Sequence, residues 1–155
     1  AAFSTIPFFL PVVEKNRASR AIRFADHGLH MPGFGLLVSE AKWKQRPQAL
    51  GQFAGIVAAA WEYIYDGHED EAVAAILAAR PQARLDAKLL RGQIDALRDY
   101  FVLQPDTRIG PPVSKEWEEA VKTLSSVGLV SSARPANDYY IDGGVTLNTV
   151  KGKAP

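Results

Sequence analysis

The chain has 155 residues, 47% of them apolar and 23% charged, with a formal net charge of +1. That composition supports a buried core and argues against intrinsic disorder. Basic and acidic residues are interspersed with no Lys/Arg block of the kind that tracks phosphates, so no nucleic-acid partner is expected.

The absence of cysteine removes disulfides, thiolate metal sites and a cysteine nucleophile. No apolar run approaches the roughly 18 residues that a membrane span needs. The start lacks the basic and apolar regions of a secretory signal, and the first residue is Ala1 rather than Met, which reads as a processed or cut chain.

In chain order, residues 1–6 form a short mixed apolar stretch that reads as the end of a strand. Pro7 suits the first turn of a helix, where its missing N–H costs nothing, and Phe8, Phe9, Val12 and Val13 give that short helix an apolar face. Residues 21–24 read as a second strand. Residues 26–35 are rich in His, Gly and Pro and read as a loop. The apolar run 34–38, bounded by Gly and by Ser39-Glu40, suits a buried third strand.

Helices dominate after Ser39. Ser39 caps a short helix through Trp43, and Pro47 starts a longer one. In it Leu50, Phe53, Ala54, Val57, Trp61, Ile64 and Tyr65 recur at helical spacing, with Gly67 as the stop. A helix over 69–79 carries Ala72, Val73, Ile76 and Leu77 on one face and is ended by Pro81. Asp86 caps a further helix with Leu89, Leu90, Ile94, Leu97 and Phe101. Ser114 opens the last, with Trp117, Ala120, Val121 and Leu124 facing inward and Gly128 as its stop. The polar tail 146–155 reads as frayed. Three short strands make no self-sufficient sheet with both faces covered, so the expected fold class is α/β, as part of a larger protein.

Four segments in this order carry a family resemblance. Ala1-Ala2-Phe3-Ser4-Thr5-Ile6-Pro7-Phe8 looks like a strand-to-helix turn of the form DA-aromatic-x-x-x-P-aromatic. Phe24-Ala25-Asp26-His27-Gly28 looks like a strand ending in Ala-Asp-aromatic-Gly. Gly33-Phe34-Gly35-Leu36-Leu37-Val38-Ser39-Glu40 looks like a G-x-G entry to a crossover strand. Trp117-Glu118-Glu119, Gly128-Leu129 and Asn137-Asp138-Tyr139-Tyr140 look like a late W…GL…D-x-Y pattern. Over residues 1–145 the chain resembles the C-terminal half of an ABC-transporter solute-binding protein, from the group that includes thiamine-pyrimidine-precursor, alkanesulfonate, taurine and nitrate binders.

The resemblance implies a two-lobed, type II periplasmic-binding fold. Residues 1–35 would end the second lobe and form the cleft turns and hinge loop. Residues 36–145 would supply the return crossover strand and the C-terminal helices of the first lobe, with 146–155 as tail. It implies a non-enzymatic importer component in the periplasm or outside the membrane, which captures a small solute by lobe closure and passes it to an ABC permease. No metal or other cofactor is implied. The rest of the first lobe lies outside this chain, so the expected partners also include that N-terminal half, or a second copy pairing through exposed sheet edges. A related eukaryotic branch that makes a thiamine precursor carries a cysteine-rich iron motif, and the lack of cysteine excludes that activity here.

Two segments are candidate ligand sites. Ser4, Thr5 and Ile6 precede a helix N-terminus, whose free N–H groups suit an anionic group; the alternative is a capped helix with no ligand. Met31, Gly33, Phe34 and Gly35 offer close backbone approach and an aromatic ring for a planar solute; the alternative is a turn with Phe34 in the core. His27 and His30, with Asp26 beside them, lack a third ligand at a metal-like spacing and read as polar loop chemistry. Trp43, Trp61 and Trp117 read as core residues, and Glu69-Asp70-Glu71 as a solvated helix start. The competing reading of the whole chain is an autonomous helical protein-interaction module.

Overall fold

A computed structural model describes residues 4–101 and 109–141. Six α-helices are described: α1 (Leu10–Asn16), α2 (Glu40–Gln45), α3 (Pro47–Tyr65), α4 (Glu69–Ala79), α5 (Ala87–Phe101) and α6 (Ser114–Ser126). Short 3-10 turns occur at Pro7–Phe9, Phe24–His27, Pro81–Ala83 and Ala136–Asp138.

The helix boundaries follow from local chemistry. The Ser39 hydroxyl accepts from the Lys42 N–H at 3.3 Å and caps α2. Asp86 Oδ1 accepts from the Leu89 N–H at 3.0 Å at the start of α5, and its other oxygen holds Lys15 at 2.7 Å. These bonds, with Lys15 contributing most, hold the Asp86 carboxyl below the usual carboxylate range. Gly67 and Gly128 follow α3 and α6 at φ +96° and +73°, a backbone region that glycine enters without strain.

The expected α/β, two-lobed type II periplasmic-binding fold does not form. Among the described residues there is no strand and no sheet. Of the three expected strands, residues 1–3 of the first lie outside the described residues. Residues 4–6 and 21–23 have no regular structure, Phe24 opens a 3-10 turn, and 34–38 are irregular and exposed. The physical reason is partnership. A run of four or five apolar residues becomes a strand only where a neighbour accepts its hydrogen bonds and covers its face, and no described segment does so. The expected tail, 146–155, lies outside the described residues.

The chain divides into two compact units, one from residues 1–23 and 60–109, the other from 24–59 and 110–155. In the first, α4 and α5 pack together, and α1 with its preceding 3-10 turn lies on α5. Val73, Ile94, Leu97 and Ile109 are buried, each a side chain whose full burial stabilises by about 1.5–3 kcal/mol. Gly92 of α5 permits close approach by α1, because a Cβ built there would stand 3.3 Å from the Pro11 Cβ.

The second unit holds α2, residues 47–59 of α3, and α6. Among its described residues the buried ones are small: Gly55 and Ala58 on α3, Ala120 on α6. Trp117 packs at 5.5 Å between ring centres on Tyr140, just beyond the last 3-10 turn. Trp43, Trp61 and Trp117, expected in the core, are each half-buried.

Candidate functional site

The most organised side-chain cluster lies in the first unit, where the end of α3 meets α4 and α5. Gly67, at φ +96°, ends α3, and the first residue of α4, Glu69, is buried rather than solvated. Its side chain is only 7% exposed. Arg98 of α5 pairs with Glu69 Oε1, and Arg91, two helical turns earlier on the same helix, stands 3.7 Å from Oε2. A buried carboxylate is tolerated only when charge partners offset its lost hydration, and these two arginines are the partners.

Arg91 also bridges Asp70 at 2.5 Å and Asp95 at 3.0 Å. Those carboxylates, Asp95 first, raise its already high affinity for protons further. Arg98 donates to the Tyr65 carbonyl at 3.1 Å, one of the last carbonyls of α3, and lies 4.9 Å over the Tyr65 ring. The Tyr65 hydroxyl donates to the Ile94 carbonyl at 3.0 Å, and its ring stacks on Trp61 at 5.6 Å. Burial, the largest influence, pushes the Tyr65 phenol up to about 12; Arg98 opposes this and Asp95 adds to it.

On the exposed side of the same turn, His68 stacks on Tyr63 with ring centres 3.9 Å apart, and its Nδ1 donates to the Tyr63 carbonyl at 3.0 Å. The Tyr63 hydroxyl donates to Glu71 at 2.8 Å, and this bond is the main reason its phenol is raised above its ordinary value. A shallow groove of about 720 Å³ runs between α4 and α5, with Val73, Ala74 and Leu77 on one wall and Arg91, Gly92 and Asp95 on the other.

Chemically, this cluster is saturated. Each cation faces carboxylates or a carbonyl, and both phenols donate to acceptors. The arrangement ties the end of α3 and the start of α4 to the body of α5 and, among the described residues, places no nucleophile against a free base. Sequence reasoning missed it by reading Glu69 as one of three solvated acids. The available signal was Arg91 and Arg98 seven residues apart on α5, a spacing that puts both on the face turned to the α4 start.

The residues expected to bind a ligand are divided between the two units. Ser4, Thr5 and Ile6 are exposed in the first, and Ile6 leads into the three-residue 3-10 turn Pro7–Phe9. Met31, Gly33, Phe34 and Gly35 lie in an irregular segment of the second. Phe34 is exposed there rather than in a core, and a Cβ added at either glycine would meet no atom within 4 Å. His27 ends a 3-10 turn and His30 follows in the same irregular stretch. Among the described residues no three ligand-type side chains gather as a metal site would need.

The second unit presents an unusual surface. Residues 31–39 carry no charge. Met31, Phe34, Leu36, Leu37 and Val38 are all exposed, Leu37 completely at 101%. Phe53 and Ile56, one turn apart on α3, are exposed as well, and so are Val127 and Leu129 beyond α6. Comparison of the chain with family models, with curated proteins and with solved structures finds no match in any of the three.

Proposed function

We propose that this protein is a helical interaction module whose second unit assembles with a second copy of the same chain. The observation that carries the reading is the mismatch in that unit between what is buried and what is exposed. Gly55, Ala58 and Ala120 are inside, while Phe34, Leu36, Leu37, Phe53 and Ile56 face solvent. Large apolar side chains left exposed on a surface favour an interface, because covering them releases their hydration. A second copy suits this surface because a net charge of +1 sets up little repulsion between chains.

The first expectation, a solute-binding component of an ABC importer, needs a two-lobed sheet to form its cleft. Among the described residues the two helical units supply no sheet, so that reading rests on the sequence resemblance alone.

Sedimentation velocity on the full chain tests the proposal, with Leu36→Asp/Leu37→Asp as the comparison. Both side chains are exposed, so the variant keeps its fold, checked by far-ultraviolet circular dichroism. The expected result is a dimer at micromolar concentration that becomes monomeric in the variant. A wild-type monomer, or a dimer that the variant leaves intact, overturns the reading.

A further inference from the structure

In the first unit, α1 stops at Asn16 although nothing in the next turns forbids a helix. From Val12 to His27 there is no glycine and no proline. The stop is made locally: the Asn16 side chain donates to the Val12 carbonyl at 2.7 Å, and Arg17 leaves the helix with extended backbone at φ −159° and ψ 134°. Residues 17–23, Arg-Ala-Ser-Arg-Ala-Ile-Arg, then run without regular structure, every one of them exposed, with Ile22 at 71%.

The segment has the pattern of a helix lying on an anionic surface. At 100° per residue, Arg17, Arg20 and Arg23 fall within an arc of about 120°, Ala18 and Ile22 fall on the opposite side, and Ala21 and Ser19 lie on the flanks between. Alanine and arginine are both strong helix formers. No acidic residue occurs between Glu14 and Asp26. Lys15 is neutralised by Asp86 at 2.7 Å, and Arg23 lies 5.4 Å over the Tyr100 ring. The Arg17 and Arg20 side chains have no partner among the described residues. The segment is not helical in the free chain because nothing among the described residues covers its apolar side, and isolated helices this short do not hold in water.

We propose that residues 17–23 form a docking segment for an anionic lipid surface, becoming helical on contact, with the arginines on the headgroups and Ile22 at the acyl boundary. Two features favour lipid over nucleic acid: the apolar arc opposite the cations, and the lack of an aromatic side chain within 17–23 on which bases would stack. Arg17 and Arg20 near such a surface raise partitioning roughly 30-fold. This surface belongs to the first unit and is independent of the assembly proposed for the second.

Co-sedimentation of the full chain with vesicles of phosphatidylcholine, with or without phosphatidylserine, tests it. Wild-type protein should pellet with the anionic vesicles, gain helical circular dichroism there, and release in high salt as the charges are screened. Arg17→Gln/Arg20→Gln removes only side chains without partners, and should cut binding roughly 30-fold while leaving the spectrum in buffer unchanged. Several outcomes overturn the proposal: no pelleting, equal pelleting with neutral vesicles, binding the variant retains, or binding to single-stranded RNA but not to vesicles.

Discussion

Arg98 pairs with the buried carboxylate of Glu69 while its guanidinium also lies 4.9 Å over the ring of Tyr65. One side chain of α5 thus holds both the start of α4 and the end of α3. Only residues 66–68 separate those two helices, so this contact ties both sides of one short connection to α5.

Removing Arg98 leaves Glu69 buried with only Arg91 at 3.7 Å. Arg98→Met keeps the aliphatic stem and deletes the charge. Breaking a fully buried pair costs about 3–5 kcal/mol. Because the Arg98 side chain is 41% exposed, solvent screening lowers the expected loss to about 2 kcal/mol. Urea unfolding measures it. Glu69→Gln/Arg98→Met should lose less than the sum of the two single changes, since neither residue then leaves a partner stranded. Strict additivity would mean that the two groups do not interact in solution.

How much of this was legible beforehand can be judged from particular residues. The helices are legible from local signals: the Ser39 and Asp86 caps of α2 and α5, the glycines at 67 and 128 after α3 and α6, and the apolar spacing of α3 to α6. The strands at 21–24 and 34–38 were misread because strand formation depends on a partner that no local pattern reveals. Glu69 was misread for a related reason, since whether a first-turn acid is solvated depends on what the next helix brings to it. The Met31–Gly35 loop was placed correctly as irregular, but Phe34 lies against solvent rather than in a core.

Tyr65 gives the stability an alkaline limb. Its phenol ionises near 10.0 when unfolded and at about 12 in the folded chain, so between these values the folded state holds the proton more tightly. The corresponding stabilisation is complete below pH 10 and is lost as pH rises toward 12. Because Tyr65 is only half-buried, solvent screening limits this limb to roughly 1–2 kcal/mol. Tyr65→Phe removes this limb together with the hydroxyl bond to Ile94, a further loss of about 1 kcal/mol at neutral pH. Stability measured against pH for both proteins should give curves that converge above pH 10. Parallel curves would show that the phenol does not gain its proton affinity from folding.

Gly110, in the second unit, is constrained twice over. Its φ of +116° lies where side-chain-bearing residues are strained, and a Cβ there would come within 3.0 Å of the Ala58 Cβ on α3. Ala58 is buried and has no flexible end to move aside, so the backbone must shift to admit even a methyl group. Gly110→Ala is expected to cost about 1–3 kcal/mol through strain and crowding together. Gly28→Ala is the control: it shares a positive φ of +78° but meets no atom within 4 Å, so it bears only the strain. Thermal unfolding of the two variants should place Gly110→Ala clearly below Gly28→Ala. Equal melting temperatures would show that the contact with Ala58 is looser in solution and that backbone strain alone sets the cost.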